Sequence, residues 1–428
     1  MRKGANFSLG DVPSEVEFQP LSLVAEDGAV SRGMLYRPKG RKPKVGVHVM
    51  HPRTDQTQNY NILPLVRAGY AVLGRAGRWV NNDIATIHEK LLLDVAAGVR
   101  SLKEAGCEAV ILLGNSGGGA LATLYQAQAR KPSGGRYEAT AAGDPFDLNQ
   151  FDLPAADGIV LIGTHPGEGY SMAKWLDPSV TDDGDPMSAD PELDMYNFDN
   201  GFRIPPEPSH YNADFLAKWH TGRLRRVDRL DVMARARMQA KREAAAQGKA
   251  LDAVDVKLAQ AAHRRAHFTD YMSISRAFGD PAWLDPTIEP DDRDICSFAN
   301  DARPDLMNFT NFYLSPFLTP EAYLSTWSGI SGRAKSMERL REFSDPVIVV
   351  HYAGDGLLRL SEAKKMFESA ATSVKEFQII RHADHYGFRI TGPHQRGDRV
   401  MEGCDAVVAW MQKNFPVANI ASHMETVR

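Results

Sequence analysis

Residues 109–120 read Ala109-Val110-Ile111-Leu112-Leu113-Gly114-Asn115-Ser116-Gly117-Gly118-Gly119-Ala120. The first five form a short apolar run with the length and branching of a buried strand. A G-x-S-x-G segment follows at once. From Ala120 to Arg130 the apolar residues take helical spacing, until Lys131-Pro132-Ser133-Gly134-Gly135 breaks it. The pentapeptide alone arises often by chance, and it is the strand before it and the helix after it that give it meaning. Small residues relieve crowding around a side chain held on a tight, strained turn, and the start of a helix favours negative charge developing there. The rival reading is a Gly-rich phosphate-binding turn, but the Walker lysine and the G-x-G-x-x-G spacing are both missing.

The same alternation extends outward on both sides. Upstream, Val45 to Met50 reads as a buried strand, Tyr60 to Ala68 as a helix and Tyr70 to Leu73 as a strand. A long amphipathic helix from Ile84 to Ala105 then ends at Gly106. Before these, Val16 to Pro38 reads as an antiparallel hairpin around Glu26-Asp27-Gly28, placed at the sheet's edge. Downstream, Ile159 to Ile162 is one more strand. The expected fold class is therefore α/β, with a mostly parallel, doubly wound sheet covered by helices.

The alternation then stops, and residues 166–340 read as an insertion, mainly helical, between two parts of one core (1–165 and 341–428). Asp177 to Asn200 holds eight acidic residues and no basic ones, whereas Lys218 to His267 holds thirteen Lys/Arg against five Asp/Glu at helical apolar spacing. A solvated face or pairing with the acidic stretch explains the basic run, which also tempts a reading as an anion or coenzyme A site. The core pattern resumes with the strand Pro346 to Val350, a helix from Ser361 to Ala371, the strand Glu376 to Ile380 and a last helix from Val400 to Asn414.

A serine hydroxyl needs a base, itself oriented by a third group. Val347 to Val350 runs into His351-Tyr352-Ala353-Gly354-Asp355, and Phe377 to Ile380 runs into Arg381-His382-Ala383-Asp384-His385-Tyr386-Gly387. The chain order is Ser, Asp, His. His382 competes with His385 as the base, and Asp384 competes with Asp355. A carboxylate adjacent in sequence to the histidine is poorly placed to reach its Nδ1, so Asp384 is expected to hold the loop.

In the elbow at Ser116, Gly354-Asp355 after a late strand and Ala383-Asp384-His385 after the last, the chain resembles the α/β-hydrolase superfamily. The resemblance covers Val16 to His165 and Asp345 to Phe415 and singles out no subfamily. It implies Ser116 as nucleophile, His385 as general acid and base, and Asp355 as the partner that orients the histidine. It also implies an oxyanion hole with the Gly117 N–H as one donor and a second from the loop after Met50. Relatives commonly read His-Gly-x there, whereas this chain reads His51-Pro52-Arg53. Proline has no N–H, so Arg53 is the expected second donor, its guanidinium being either a contact for an acidic substrate or a plain loop arginine. The insertion begins where relatives often carry a cap. Deleting such a cap is expected to alter substrate range before it abolishes reactivity towards small activated esters.

Substrate contacts are expected from His51, Asn115, His165 and Trp327. Trp175, Tyr196, Trp219, Tyr271, Trp283 and Tyr323 are further candidates that more commonly pack a cap's own core. His48, His51 and His165 match no metal-ligand spacing, so neither metal nor other cofactor is expected. At 428 residues and a formal net charge of -4, the chain is long enough for a decorated catalytic domain and lacks the basic footprint of a nucleic-acid binder. Three scattered cysteines and an N-terminus without a continuous apolar core lead us to expect a cytoplasmic protein. No partner is expected among nucleic acids or membranes, and an apolar stripe in the basic helical region allows a homodimer. The expected reaction is hydrolysis of a carboxylic ester or lactone of a small, bulky or aromatic molecule. Cleavage of a thioester or of a carbon-carbon bond beside a ketone, or binding without catalysis, are the alternatives.

Overall fold

Strands that are buried on both faces need side chains that are mostly apolar on both faces, and four segments of this chain meet that demand apart from His48, Asn115 and His351. In the computed structural model, which describes residues 7–185, 187–296, 303–310, 317–386 and 399–417, these segments are β3 (Val45–Val49), β5 (Ala109–Asn115), β6 (Gly158–Ile162) and β7 (Val347–Tyr352). They lie side by side in the middle of an eight-stranded sheet. β1 (Val16–Val24) and β2 (Val30–Pro38) form the expected hairpin at one edge, β4 (Ala71–Arg75) lies between β2 and β3, and β8 (Lys375–Ile380) is the other edge. β2 runs antiparallel to both neighbours, while every pairing from β4 to β8 is parallel.

Helices cover both faces. On one face α2 (His88–Glu104) and α3 (Gly117–Ala129) pack Leu91, Leu92, Val95, Leu121 and Leu124 onto Leu112, Leu161 and Val349. On the other, α1 (Ile62–Arg67) and a C-terminal helix (Val400–Asn414) pack Leu65, Val66, Val407 and Trp410 onto Val47, Val72, Ile348 and Val350. Each of these fully buried aliphatic side chains contributes roughly 1.5–3 kcal/mol of transfer free energy. The helix expected from Ile84 begins only at His88, because Asp83–Ala85 forms a separate single turn.

Between β6 and β7 no strand joins this sheet among the described residues. α4 (Glu168–Trp175) is followed by a long loop, then by the 39-residue α5 (Ala213–Leu251) and by α6 (Val256–His267), which packs along it. The Asn212 side chain caps α5 by accepting from Phe215 N at 2.8 Å. One stripe of α5, comprising Phe215, Trp219, Val227, Leu230, Ala234 and Met238, is buried. Within it lies Arg226, 1% exposed, whose guanidinium takes Asp183 Oδ1 at 2.6 Å and the Asp177 carbonyl at 2.8 Å, while Arg229 takes the other oxygen of Asp183. The basic helix and the acidic loop are thus paired through buried charge.

The insertion is tied to the core beside the loop after β7. The Trp283 indole donates to the Gly356 carbonyl, Arg359 bonds Asp280 at 2.8 Å, and Ser325 donates to Glu89 of α2. Among the described residues no helix is long and apolar enough to cross a membrane.

Candidate active site

In an open α/β sheet the ligand crevice lies beyond the carboxyl ends of the strands, where the strand order reverses. Here the chain leaves β3 towards β4 and leaves β5 towards β6, so the crevice falls between the ends of β3 and β5. The loop at His51 and the turn at Ser116 are the two sides of that gap. His165 follows β6, Asp355 follows β7 and His385 follows β8, so five residues singled out from sequence stand at neighbouring strand ends.

Ser116 has φ +54° and ψ −127°, a backbone state that costs a non-glycine residue about 1–3 kcal/mol. Its surroundings impose it. Ser116 N donates to the Gly163 carbonyl at 3.0 Å. The first turn of α3 presses so closely on the adjoining strand ends that a Cβ on Gly118 would stand 2.4 Å from the Met50 carbonyl oxygen. Asn115 makes the second clamp, donating its amide to the Ile162 carbonyl at 2.9 Å and to the Tyr60 hydroxyl at 3.2 Å. Asn115 is therefore not the substrate contact expected of it, because its donors are spent on fastening the turn to β6 and Tyr60.

Ser116 Oγ lies 2.9 Å from His385 Nε2, and His385 Nδ1 lies 2.7 Å from Asp355 Oδ2. Asp355 is fully buried, and its Oδ1 accepts from Leu357 N at 2.8 Å and Leu358 N at 3.2 Å. Burial acts to lower the His385 pKa, but the Asp355 charge and hydrogen bond outweigh it and hold the ring above the ordinary histidine value. The rival His382 belongs elsewhere, for its backbone N–H and its ring both face Asp292. Asp384 accepts from Tyr386 N at 3.1 Å, within its own loop. Gly387, the last residue of the sequence motif, lies outside the described residues.

The second corrected expectation concerns Arg53. Its backbone N–H donates to His51 Nδ1 at 3.0 Å, as does that of Thr54 at 3.2 Å, so the Arg53 amide is already spent. Its guanidinium grips Asp83 with two bonds, of 2.7 and 2.5 Å, and lies 4.9 Å over the Trp327 ring. Trp327 is itself 1% exposed and packed in the interior of the insertion. Trp175, Trp219, Trp283 and Tyr323 share that interior, whereas Tyr271 is exposed on the outside. These side chains are packing residues because the insertion has a core of its own to fill.

His51 and His165 are both buried, and burial lowers both pKa values, which favours neutral rings. His165 Nδ1 accepts from Gly167 N at 3.2 Å. Two further residues join them that carry no motif in the sequence. Glu168, at the start of α4, stands with Oε1 2.0 Å from where a Cβ on Gly117 would be, and its Oε2 is 3.4 Å from His88 Nε2. Among the described residues, no group of three or more His, Cys, Asp or Glu side chains is arranged to hold a metal ion.

No family model matches this chain, and no curated protein matches it. Solved structures do. The α/β hydrolase GrgF from Penicillium sp. is 11% identical, with 93% of this chain and 98% of that one covered at a TM-score of 0.45. DcsB, solved in complex with its substrate analogue, is 12% identical over 93% and 100% of the two chains at 0.47. An esterase domain from a Rhodothermus marinus protein is 11% identical over 93% and 98% at 0.41. The strand order, the single antiparallel strand β2 inside one edge and the strained serine between β5 and α3 are this chain's own, and by them it has the α/β-hydrolase fold.

Proposed function

We propose that this protein is a serine hydrolase that cleaves a carboxylic ester or lactone of a small molecule through an acyl-enzyme on Ser116. One observation carries the reading: the unbroken line Ser116 Oγ, His385 Nε2, His385 Nδ1, Asp355 Oδ2, with links of 2.9 and 2.7 Å. Asp355 accepts a hydrogen bond from Nδ1–H and so leaves Nε2 unprotonated to take the proton of Ser116 as Oγ attacks the acyl carbon. The carbonyl oxygen becomes an oxyanion facing the Gly117 N–H, the first amide of α3, which has no acceptor within the helix. His385 then gives its proton to the leaving oxygen. In the second half it takes a proton from water, which attacks the ester on Ser116, and gives that proton to Ser116 Oγ as the acid leaves.

The test is intact-protein mass spectrometry after treatment with a fluorophosphonate, on wild type and Ser116→Ala. A single adduct confined to the wild type, with turnover of short p-nitrophenyl esters, is the expected result. An adduct on both proteins, or on neither, would remove Ser116 from the nucleophile's role.

A further inference from the structure

In the loop after β3 the Arg53 amide expected as the second oxyanion donor is already engaged. Pro52 has no N–H, and the N–H groups of Arg53 and Thr54 both converge on His51 Nδ1. A ring nitrogen that accepts two amides cannot carry the proton of a neutral imidazole, so that proton sits on Nε2. Nε2 lies 3.1 Å from the point where a Cβ on Gly117 would stand. By standard backbone dimensions it is then within about 5.5 Å of the Gly117 N, a spacing at which two N–H groups can meet on one oxygen.

We propose that His51 supplies the second oxyanion donor, its Nε2–H and the Gly117 N–H together holding the carbonyl oxygen of the acyl group under attack. The site then consists of one ring and one amide in place of two amides. This rests on the serine-hydrolase reading above. The Arg53 and Thr54 amides fix the ring's tautomer and its aim, and burial keeps it uncharged, so it donates a hydrogen bond without taking part in proton transfer. The Glu168 carboxylate, whose Oε1 lies 2.0 Å from the same Cβ point on Gly117, puts a negative charge beside the site that the two N–H donors must outweigh as charge builds on the substrate oxygen.

Two variants separate this role from that of a loop fastener, because the asparagine amide overlays the Nδ1 end of a histidine and the glutamine amide overlays the Nε2 end. His51→Asn keeps an acceptor for the Arg53 and Thr54 amides and loses the distant donor. His51→Gln keeps the distant donor and loses the acceptor. Each is assayed for kcat on a p-nitrophenyl ester and for affinity towards a trifluoromethyl ketone. On that ketone the Ser116 oxygen adds to the carbonyl carbon, His385 takes the serine proton and the ketone oxygen becomes an alkoxide.

Loss of roughly 10²–10³ in both readings for His51→Asn, with His51→Gln within about tenfold of wild type, is expected. The reverse order, or two variants equal to wild type, overturns the proposal. If both variants lose activity, the histidine 15N spectrum of the wild-type ketone complex decides. A downfield shift of the His51 Nε2 proton on binding upholds the donor role, and an unmoved proton overturns it. Failure of the wild type to label with fluorophosphonate would instead sink the serine reading before His51 comes into question.

Discussion

Replacing Asp355 by asparagine should cost about four decades of kcat while leaving the fold in place. The two oxygens of Asp355 have separate tasks, Oδ1 accepting from Leu357 N and Leu358 N and Oδ2 accepting from His385 Nδ1. An asparagine keeps its carbonyl oxygen towards the two amides, since turning its NH2 towards them would strand both. Leaving a buried donor unsatisfied costs about 1–3 kcal/mol, so the turned amide is disfavoured by roughly 2–6 kcal/mol. The NH2 therefore faces His385 and forces Nδ1 to accept, which moves the ring proton to Nε2, opposite Ser116. A base in that tautomer cannot take the serine proton. The corresponding exchange in a Ser-His-Asp protease costs about 10⁴ in kcat, or roughly 5.5 kcal/mol of barrier. The assay is steady-state hydrolysis of a p-nitrophenyl ester beside circular dichroism of the same sample. A folded Asp355→Asn enzyme within about tenfold of wild type would refute the reasoning.

Acidification should switch the enzyme off. His385 must be neutral to act as a base and its pKa is raised by Asp355, so kcat/KM should fall as pH drops through a value above the ordinary 6.5. The stability contributed by the His385–Asp355 pair runs the opposite way, complete below the unfolded histidine pKa and lost as pH rises through the raised one. A pH profile flat down to pH 5 would contradict this reading. Gly118→Ala should destabilise by about 1–3 kcal/mol and lower kcat by a larger factor, because the added methyl meets the Met50 carbonyl at 2.4 Å and must displace the His51 loop. Thermal melts and esterase assays report both, and a fully active variant would show that the loop yields freely. Asp183→Ala removes the partner of a 1%-exposed Arg226 and should cost about 3–5 kcal/mol in urea unfolding. A loss below about 1 kcal/mol, the range of an exposed pair, would mean that water reaches this arginine.

The parts of the fold that could be read from sequence are those in which one segment suffices. Gly158–Ile162 is apolar on both faces, and Val45–Val49 nearly so apart from His48, so their burial needs no knowledge of their neighbours. The elbow is legible because strand, glycine-flanked serine and helix are contiguous. The line from Ser116 to Asp355 rests on the family resemblance, since His382 and Asp384 stand at the same strand end as His385. What escaped depends on atoms distant in sequence or on rings whose aim the sequence does not encode. Asn115 looked available because its acceptor, the Ile162 carbonyl, arrives from the next strand. Arg53 looked like a donor because the ring that takes its amide comes from two residues earlier and could have pointed anywhere. Glu168 gave no signal, since only the approach of α4 to Gly117 makes it a neighbour of the site.

The bond that Trp283 donates to Gly356 and the one that Asp280 accepts from Arg359 bracket Asp355 from the insertion's side. A segment anchored there is not a detachable hood, and excision would release the loop that aims His385. For protein engineering it means that trimming the insertion is expected to disturb the Asp355 loop of the core along with whatever the insertion itself shapes. Changes of specificity are better sought by exchanging single residues within the insertion than by replacing it whole.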